Sequence, residues 1–77
     1  MRLPLREISG RECIRILCNR FGFSIARQKG SHIVLTRIEE NRKIGTVVPN
    51  HKRLKPGTLK SILKLAEIDE SRFAEYL

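Results

Sequence analysis

The sequence predicts a two-layer α+β domain, with the order helix, three strands, helix, in which two amphipathic helices cover one face of an antiparallel three-stranded sheet. Three observations predict it. Apolar residues recur at helical spacing before Gly22 and after Pro56, the period drops from about 3.6 to 2 from Phe23 onward, and three apolar-patterned segments follow one another through short polar connections. A sheet hidden on one side only leaves an open face, where function should be sought. The 77 residues make one domain, 1–77, with 1–8 as an N-terminal extension and 69–77 as a short C-terminal segment.

The first helix is announced by Ser9-Gly10-Arg11-Glu12, a capping box in which Ser9 and Glu12 exchange side-chain and backbone hydrogen bonds. Ile8 and Cys13 stand at the positions of a hydrophobic staple around that cap. Cys13, Ile14, Leu17, Cys18 and Phe21 form its expected apolar stripe, with Arg11, Arg15 and Arg20 towards solvent, and Gly22 ends it. Strand one follows, with Phe23, Ile25 and Arg27 alternating with Ser24, Ala26 and Gln28. Lys29-Gly30-Ser31 is a tight connection into strand two, His32 to Arg37, rich in β-branched residues. Glu39 to Arg42 is a polar tip, and strand three, Lys43 to Val48, is stopped by Pro49. Asn50 to Lys55 is too polar for core structure. Pro56-Gly57-Thr58 opens the second helix, whose apolar face is Leu59, Ile62, Leu63 and Ala66. In the C-terminal segment Asp69 is a cap, and Phe73, Tyr76 and Leu77 can fold back as a last turn.

Charge narrows the function. Lys and Arg number 16 against 8 Asp and Glu, a net charge of +8, which points to a polyanionic partner. Half of the acidic residues, Glu67, Asp69, Glu70 and Glu75, lie near the C-terminus, so the basic surface is expected at the other end of the molecule. Cys13 and Cys18 are five apart with no ligand cluster beside them, which argues against a metal site and against a disulfide. They are expected to be small core residues. Met1 to Glu7 has no apolar core of a signal peptide, and no run of 18 apolar residues occurs, so the expected location is cytoplasmic with no membrane partner. Phe21, Phe23 and Phe73 are expected in the core, leaving Tyr76 as the one exposed stacking platform and disfavouring recognition by base stacking.

The chemistry-bearing residues gather around His32. On period-2 geometry Ile33 and Leu35 face the core while His32, Val34 and Thr36 face the other way. Gly30 and Ser31 allow close approach of a phosphate, Arg27 and Lys29 neutralise its charge, and an imidazole exchanges protons near neutral pH. Those are the parts of an RNA-cleaving site. Acid–base cleavage needs two proton-transfer groups. His32 is one, and His51, Lys29, Ser31 or water are the candidates for the other. No carboxylate pair accompanies them, which argues against a two-metal mechanism. Lys52, Arg53 and Lys55, beside His51, are placed to contact phosphates or the carboxylates of a partner. The bland alternative is a turn sequence beside a solvated charge run.

Gly22-Phe23, Arg27-Gln28-Lys29-Gly30-Ser31-His32, Val48-Pro49-Asn50-His51 and Lys55-Pro56-Gly57-Thr58-Leu59-Lys60-Ser61-Ile62-Leu63-Lys64, taken together, resemble the HicA toxins. These are small mRNA interferases of toxin–antitoxin modules, with a fold similar to the double-stranded-RNA-binding domain. The resemblance covers about residues 9 to 68. It implies that His32 is the catalytic histidine, that RNA is cut without a metal or other cofactor, and that a HicB-type antitoxin blocks the site, with the loop from His51 to Lys55 a natural docking place. Gly30 maps to the motif's glycine. Many relatives carry a second histidine where this chain has Ile33, which removes one candidate for the second proton-transfer group. The expected function is therefore a type II toxin, an endoribonuclease centred on His32 with Arg27, Lys29, Gly30, Ser31, Lys52, Arg53 and Lys55 holding RNA. The alternative is an RNA-binding module of the double-stranded-RNA-binding kind that cuts nothing. A purely structural adaptor ranks last, since it gives no reason for His32 or the basic surface.

Overall fold

Local signals set the elements of the computed structural model, which describes residues 7–77; the first six residues of the N-terminal extension lie outside that range. The chain runs α1 (Gly10–Arg20), β1 (Ser24–Lys29), β2 (His32–Glu39), β3 (Arg42–Pro49), α2 (Pro56–Ala66) and α3 (Glu70–Ala74). Ser9 caps α1 by accepting from the Glu12 amide at 2.9 Å, and Asp69 caps α3 through the Ser71 amide at 3.0 Å. Both caps are the ones the sequence predicts.

The sheet is an antiparallel meander in the order β1-β2-β3. Each hairpin closes through two residues. Gly30 takes a positive φ of 59° at the first corner, where only the first turn residue is left-handed. At the second corner Glu40 and Asn41 both do, at 49° and 63°, the mirror-image turn that matches strand twist. Because these turns are tighter than the expected loops, β2 runs on through Ile38 and Glu39, and β3 begins at Arg42.

The helices cover one face. Ile33, Leu35, Ile44, Thr46 and Val48 point into a core completed by Leu59, Ile62, Leu63 and Ala66 of α2 and by Phe73 of α3. Thr46, the one buried polar side chain among the described residues, donates from Oγ1 to the Ile62 carbonyl at 2.8 Å and so binds β3 to α2. Such a bond is worth about 1 kcal/mol net. In α1 the buried set is Gly10, Cys13, Ile16 and Leu17. Ile16 belongs to the core, whereas Ile14, Cys18 and Phe21 of the expected stripe are half-buried at its rim. The helix is rotated so that its glycine faces β3.

That glycine is required. A Cβ on Gly10 would fall on the Pro49 carbonyl oxygen, and the Gly10 amide donates to the His51 carbonyl at 2.8 Å. Ile8, the last residue of the extension, is 3% exposed, and its carbonyl accepts from the Leu54 amide at 2.7 Å. Leu54 is buried too, a core residue inside a loop whose composition suggested none.

A second long-range tie closes the opposite end. Glu67 ends α2 in the left-handed region at φ 58°, a conformation that costs a residue with a side chain about 1–3 kcal/mol. Arg42 grips its carboxylate with two hydrogen bonds of 2.8 and 2.7 Å. Those bonds hold the Glu67 carboxyl below the usual carboxylate range.

Both cysteines are free. Burial, with the Glu12 charge adding to it, pushes the Cys13 thiol up to about 12, and burial also raises Cys18. Since the thiolate is the reactive form, alkylation at pH 8 should modify Cys18 slowly and Cys13 only at the rate of global opening, as mass spectrometry of timed quenches will show. Substitutions at two glycines should move stability in opposite directions. Gly10→Ala forces the α1 start off β3 and should cost about 1–3 kcal/mol in urea unfolding. Gly57→Ala, in the first turn of α2 where an added Cβ meets nothing within 4 Å, should gain about 0.4–1 kcal/mol.

Candidate nucleic-acid interface

Register decides which side chains share the open face. Across the three strands the rows read Lys29, His32, Pro49; then Arg27, Val34, Val47; then Ser24, Thr36, Gly45; with Ile38 opposite Lys43 beyond them. Directly paired residues in an antiparallel sheet put their side chains on the same side. His32, Lys29 and Arg27 therefore stand together on the uncovered face, at the end where the β1–β2 hairpin turns.

The sequence pattern alone would not place them there. Strict alternation keeps Arg27 on the side of Phe23 and Ile25. The register slips between Ile25 and Arg27, so that Ile25 pairs with Leu35 and Arg27 with Val34, leaving Ala26 as the extra residue of a β-bulge. A bulge reverses the facing of everything after it. It moves Arg27 and Lys29 from the helix-covered side to the side of His32. All six residues of β1 are exposed, because the helices pack chiefly against β3, the strand at the other edge of the sheet.

The loop after β3 comes to the same end and is fixed there by backbone bonds. The Asn50 amide donates to the Ser31 carbonyl at 2.6 Å, His51 donates to Pro49 and accepts from Gly10, and Leu54 donates to Ile8. Gln28 braces the hairpin by donating to the Gly30 carbonyl at 3.0 Å. With its backbone held and Leu54 buried, the loop turns His51, Lys52, Arg53 and Lys55 outward. A concavity of about 270 Å³, lined by Pro49, His51, Arg53, Leu54, Lys55 and Thr58, lies between loop and α2. Both long helices begin here, so their partially positive N-terminal ends add to the side-chain charge.

Every residue singled out from the sequence thus reaches one pole: Arg27, Lys29 and His32 on the sheet, Gly30 and Ser31 in the turn, and His51, Lys52, Arg53 and Lys55 on the loop. Of these cations, Arg53 has Glu7 at 3.7 Å, a loose exposed contact. Arg11 and Arg15 on α1 and Lys60 and Lys64 on α2 are further exposed charges outside this set. The opposite pole is different in kind. There Arg20, Arg37, Arg42 and Arg72 share a 540 Å³ depression with Glu39, Glu67 and Asp69, and Tyr76 is engaged by Phe21 edge-on and by the Arg20 guanidinium 5.2 Å from its ring centre. Tyr76 is consequently no free stacking platform. Sequence reasoning missed Gly45 and Ile38 on the open face; a glycine in mid-strand was the available signal.

Among the described residues no group of three or more His, Cys, Asp or Glu is placed to hold a metal ion, and no helix is long and apolar enough to cross a membrane. What the arrangement offers chemically is a cationic, imidazole-bearing edge of a sheet. Fold and pole together define a small α+β domain with a cationic, imidazole-bearing surface. The family model described as the HicA toxin of bacterial toxin–antitoxin systems matches residues 10–68, and the chain belongs to that family. No curated protein and no solved structure matches it.

Proposed function

We propose that this protein is the endoribonuclease toxin of a type II toxin–antitoxin module, an mRNA interferase that cuts RNA by acid–base chemistry on His32 without a metal ion, and that a HicB-type antitoxin restrains it. The observation that carries the reading is the row Lys29, His32, Pro49 with Arg27 behind it, set against the outward-facing loop of His51, Lys52, Arg53 and Lys55. An imidazole is surrounded by cations on a surface open enough for a polymer.

The reaction that fits is transesterification at phosphorus. A base takes the proton of the ribose 2′-hydroxyl, the 2′-oxygen attacks phosphorus, the bond to the 5′-oxygen breaks, and an acid protonates that leaving oxygen. The products are a 2′,3′-cyclic phosphate and a 5′-hydroxyl. His32 serves one of the two proton transfers, and His51, Lys29, Ser31 or water serves the other. Arg27 and Lys29 stabilise charge building on the non-bridging oxygens, Gly30 and Ser31 let the backbone approach, and Lys52, Arg53 and Lys55 hold flanking phosphates. His51 is also a candidate antitoxin contact. Cytoplasmic RNA is the expected substrate.

His32→Ala should lower cleavage of a single-stranded RNA about 10²- to 10⁴-fold while RNA affinity and the folded spectrum persist. Parent cleavage in excess chelator, with cyclic phosphate ends by mass analysis, is the expected companion result. RNA bound at saturation and left intact by the parent would overturn catalysis and leave a binding module. Removing Lys52 and Lys55 together should flatten the slope of log affinity against log salt by about 1.4, at roughly 0.7 per phosphate contact on a single strand. An unchanged slope would take both residues off the RNA path.

A further inference from the structure

Gln28 is an exposed residue of an edge strand, and among the described residues its side chain makes one hydrogen bond, from Nε2 to the Gly30 carbonyl at 3.0 Å. The register decides what that bond does. Gln28 pairs with Ile33, whose side chain is buried under the helices, while Lys29 pairs with His32 on the open face. Gln28 therefore reaches the turn from the side opposite His32. A trans peptide is planar, and its C=O and N–H point in opposite directions. Holding the Gly30 carbonyl on the Gln28 side turns the next amide, that of Ser31, towards Lys29 and His32.

The turn has two compact ways to close, and they differ in this peptide. With Gly30 left-handed at φ 59° and Ser31 not, the hairpin takes the type II′ form. With both residues left-handed it would take the I′ form, in which the central peptide is turned over and the Ser31 amide faces away from His32. The second hairpin of the same sheet, where Glu40 and Asn41 are both left-handed, takes that other form. At the first hairpin Gln28 holds the Gly30 carbonyl, and the Asn50 amide donates to the Ser31 carbonyl at 2.6 Å, so the peptides on both sides of Ser31 are fixed. The Ser31 amide itself has no backbone partner among the described residues.

We propose that the Ser31 amide donates a hydrogen bond to a non-bridging oxygen of the phosphate at His32, and that Gln28 is the positioning residue that aims it; the catalytic consequence rests on the ribonuclease reading above. A donor fixed in advance needs no reorganisation when charge builds on that oxygen. Arg27 and Lys29 bring charge on long, flexible side chains, whereas the amide brings a direction. Gln28 does this without touching substrate, from the far side of the strand.

Gln28→Met keeps the length of the side chain and removes the donor, and Gln28→Lys restores a donor able to reach the same carbonyl. At saturating single-stranded RNA, Gln28→Met should cut about three- to tenfold more slowly than the parent, the range of one net hydrogen bond, with half-saturation changed by no more than about twofold. Gln28→Lys should recover most of that rate. A Gln28→Met rate equal to the parent's, or a Gln28→Lys rate as low as that of Gln28→Met, would overturn the positioning role. The amide is read without chemistry. In proton–nitrogen correlation spectra with saturating RNA whose 2′-oxygens are methylated, and which those oxygens therefore cannot cut, the Ser31 amide proton should move downfield in the parent and by less in Gln28→Met. A Ser31 proton that stays in place while those of Lys29 and His32 move would overturn the donor. A parent that cuts no RNA defeats the functional reading alone, since the spectra still decide the amide, and an RNA that shifts no amide at this pole overturns both.

Discussion

The structure hangs on a side chain that is missing. With hydrogen at position 10, the first turn of α1 lies against the Pro49 carbonyl, and its first amide is satisfied by His51. A buried helix end needs such partners for its unpaired N–H groups. Ser9 supplies one and His51, in the loop after β3, supplies another, so the contact that seats the helix also immobilises the chain leaving the sheet. From there Asn50 bonds to Ser31 and Leu54 inserts into the core, which places the basic loop beside the β1–β2 turn. The relation between His32 and the cations of the loop is thus a consequence of helix packing.

The bulge in β1 does for the sheet what Gly10 does for the loop. A one-residue change in register exchanges the two faces of a strand. Here that exchange is applied halfway along an edge strand, where an extra residue disturbs one row of bonds and no second neighbour. Before the bulge, Phe23 and Ile25 take the helix side, and Phe23 is buried beneath the Arg37 guanidinium, 5.3 Å from its ring centre. After it, the cations take the open side. One strand thereby contributes both to the core and to the candidate site, and the irregular edge resists pairing with a stray strand.

What the sequence made legible was local. Ser9 and Asp69 act as caps, Leu59, Ile62, Leu63 and Ala66 face the core at helical spacing, and Ile33 and Leu35 alternate with the exposed His32 as expected. What escaped was set by partners distant in the chain. Ile16 entered the core because Gly10 rotates α1 towards β3, and Leu54 because Ile8 binds its amide, although five polar neighbours hid it. Glu67 adopts a conformation its own side chain disfavours, beside an arginine 25 positions earlier in the chain. The candidate site was legible as a set of residues because its members cluster in two short segments. The facing of Arg27 and Lys29 was not, since alternation contains no signal for a bulge at Ala26.

The charge of +8 is also distributed by these contacts. Six of the eight acidic residues, all but Glu7 and Glu12, lie at the β2–β3 hairpin end or from Glu67 onward, and three of them, Glu39, Glu67 and Asp69, share a depression with Arg20, Arg37, Arg42 and Arg72. The molecule is 34 Å in its longest dimension, and a Debye length at physiological salt is about 8 Å. At that screening the two poles act independently on anything outside. The far pole sets six acidic residues against those four arginines and Lys43 and so adds no positive excess, and its arginines hold Glu67 and stack on Phe23 and Tyr76. Among the described residues, Arg27, Lys29, Lys52, Arg53 and Lys55 gather at the pole of His32, with Arg11, Arg15, Lys60 and Lys64 exposed on the helices. Arginine count alone does not separate the two ends, whereas the pairing of Arg37 with Glu39 and of Arg42 with Glu67 does.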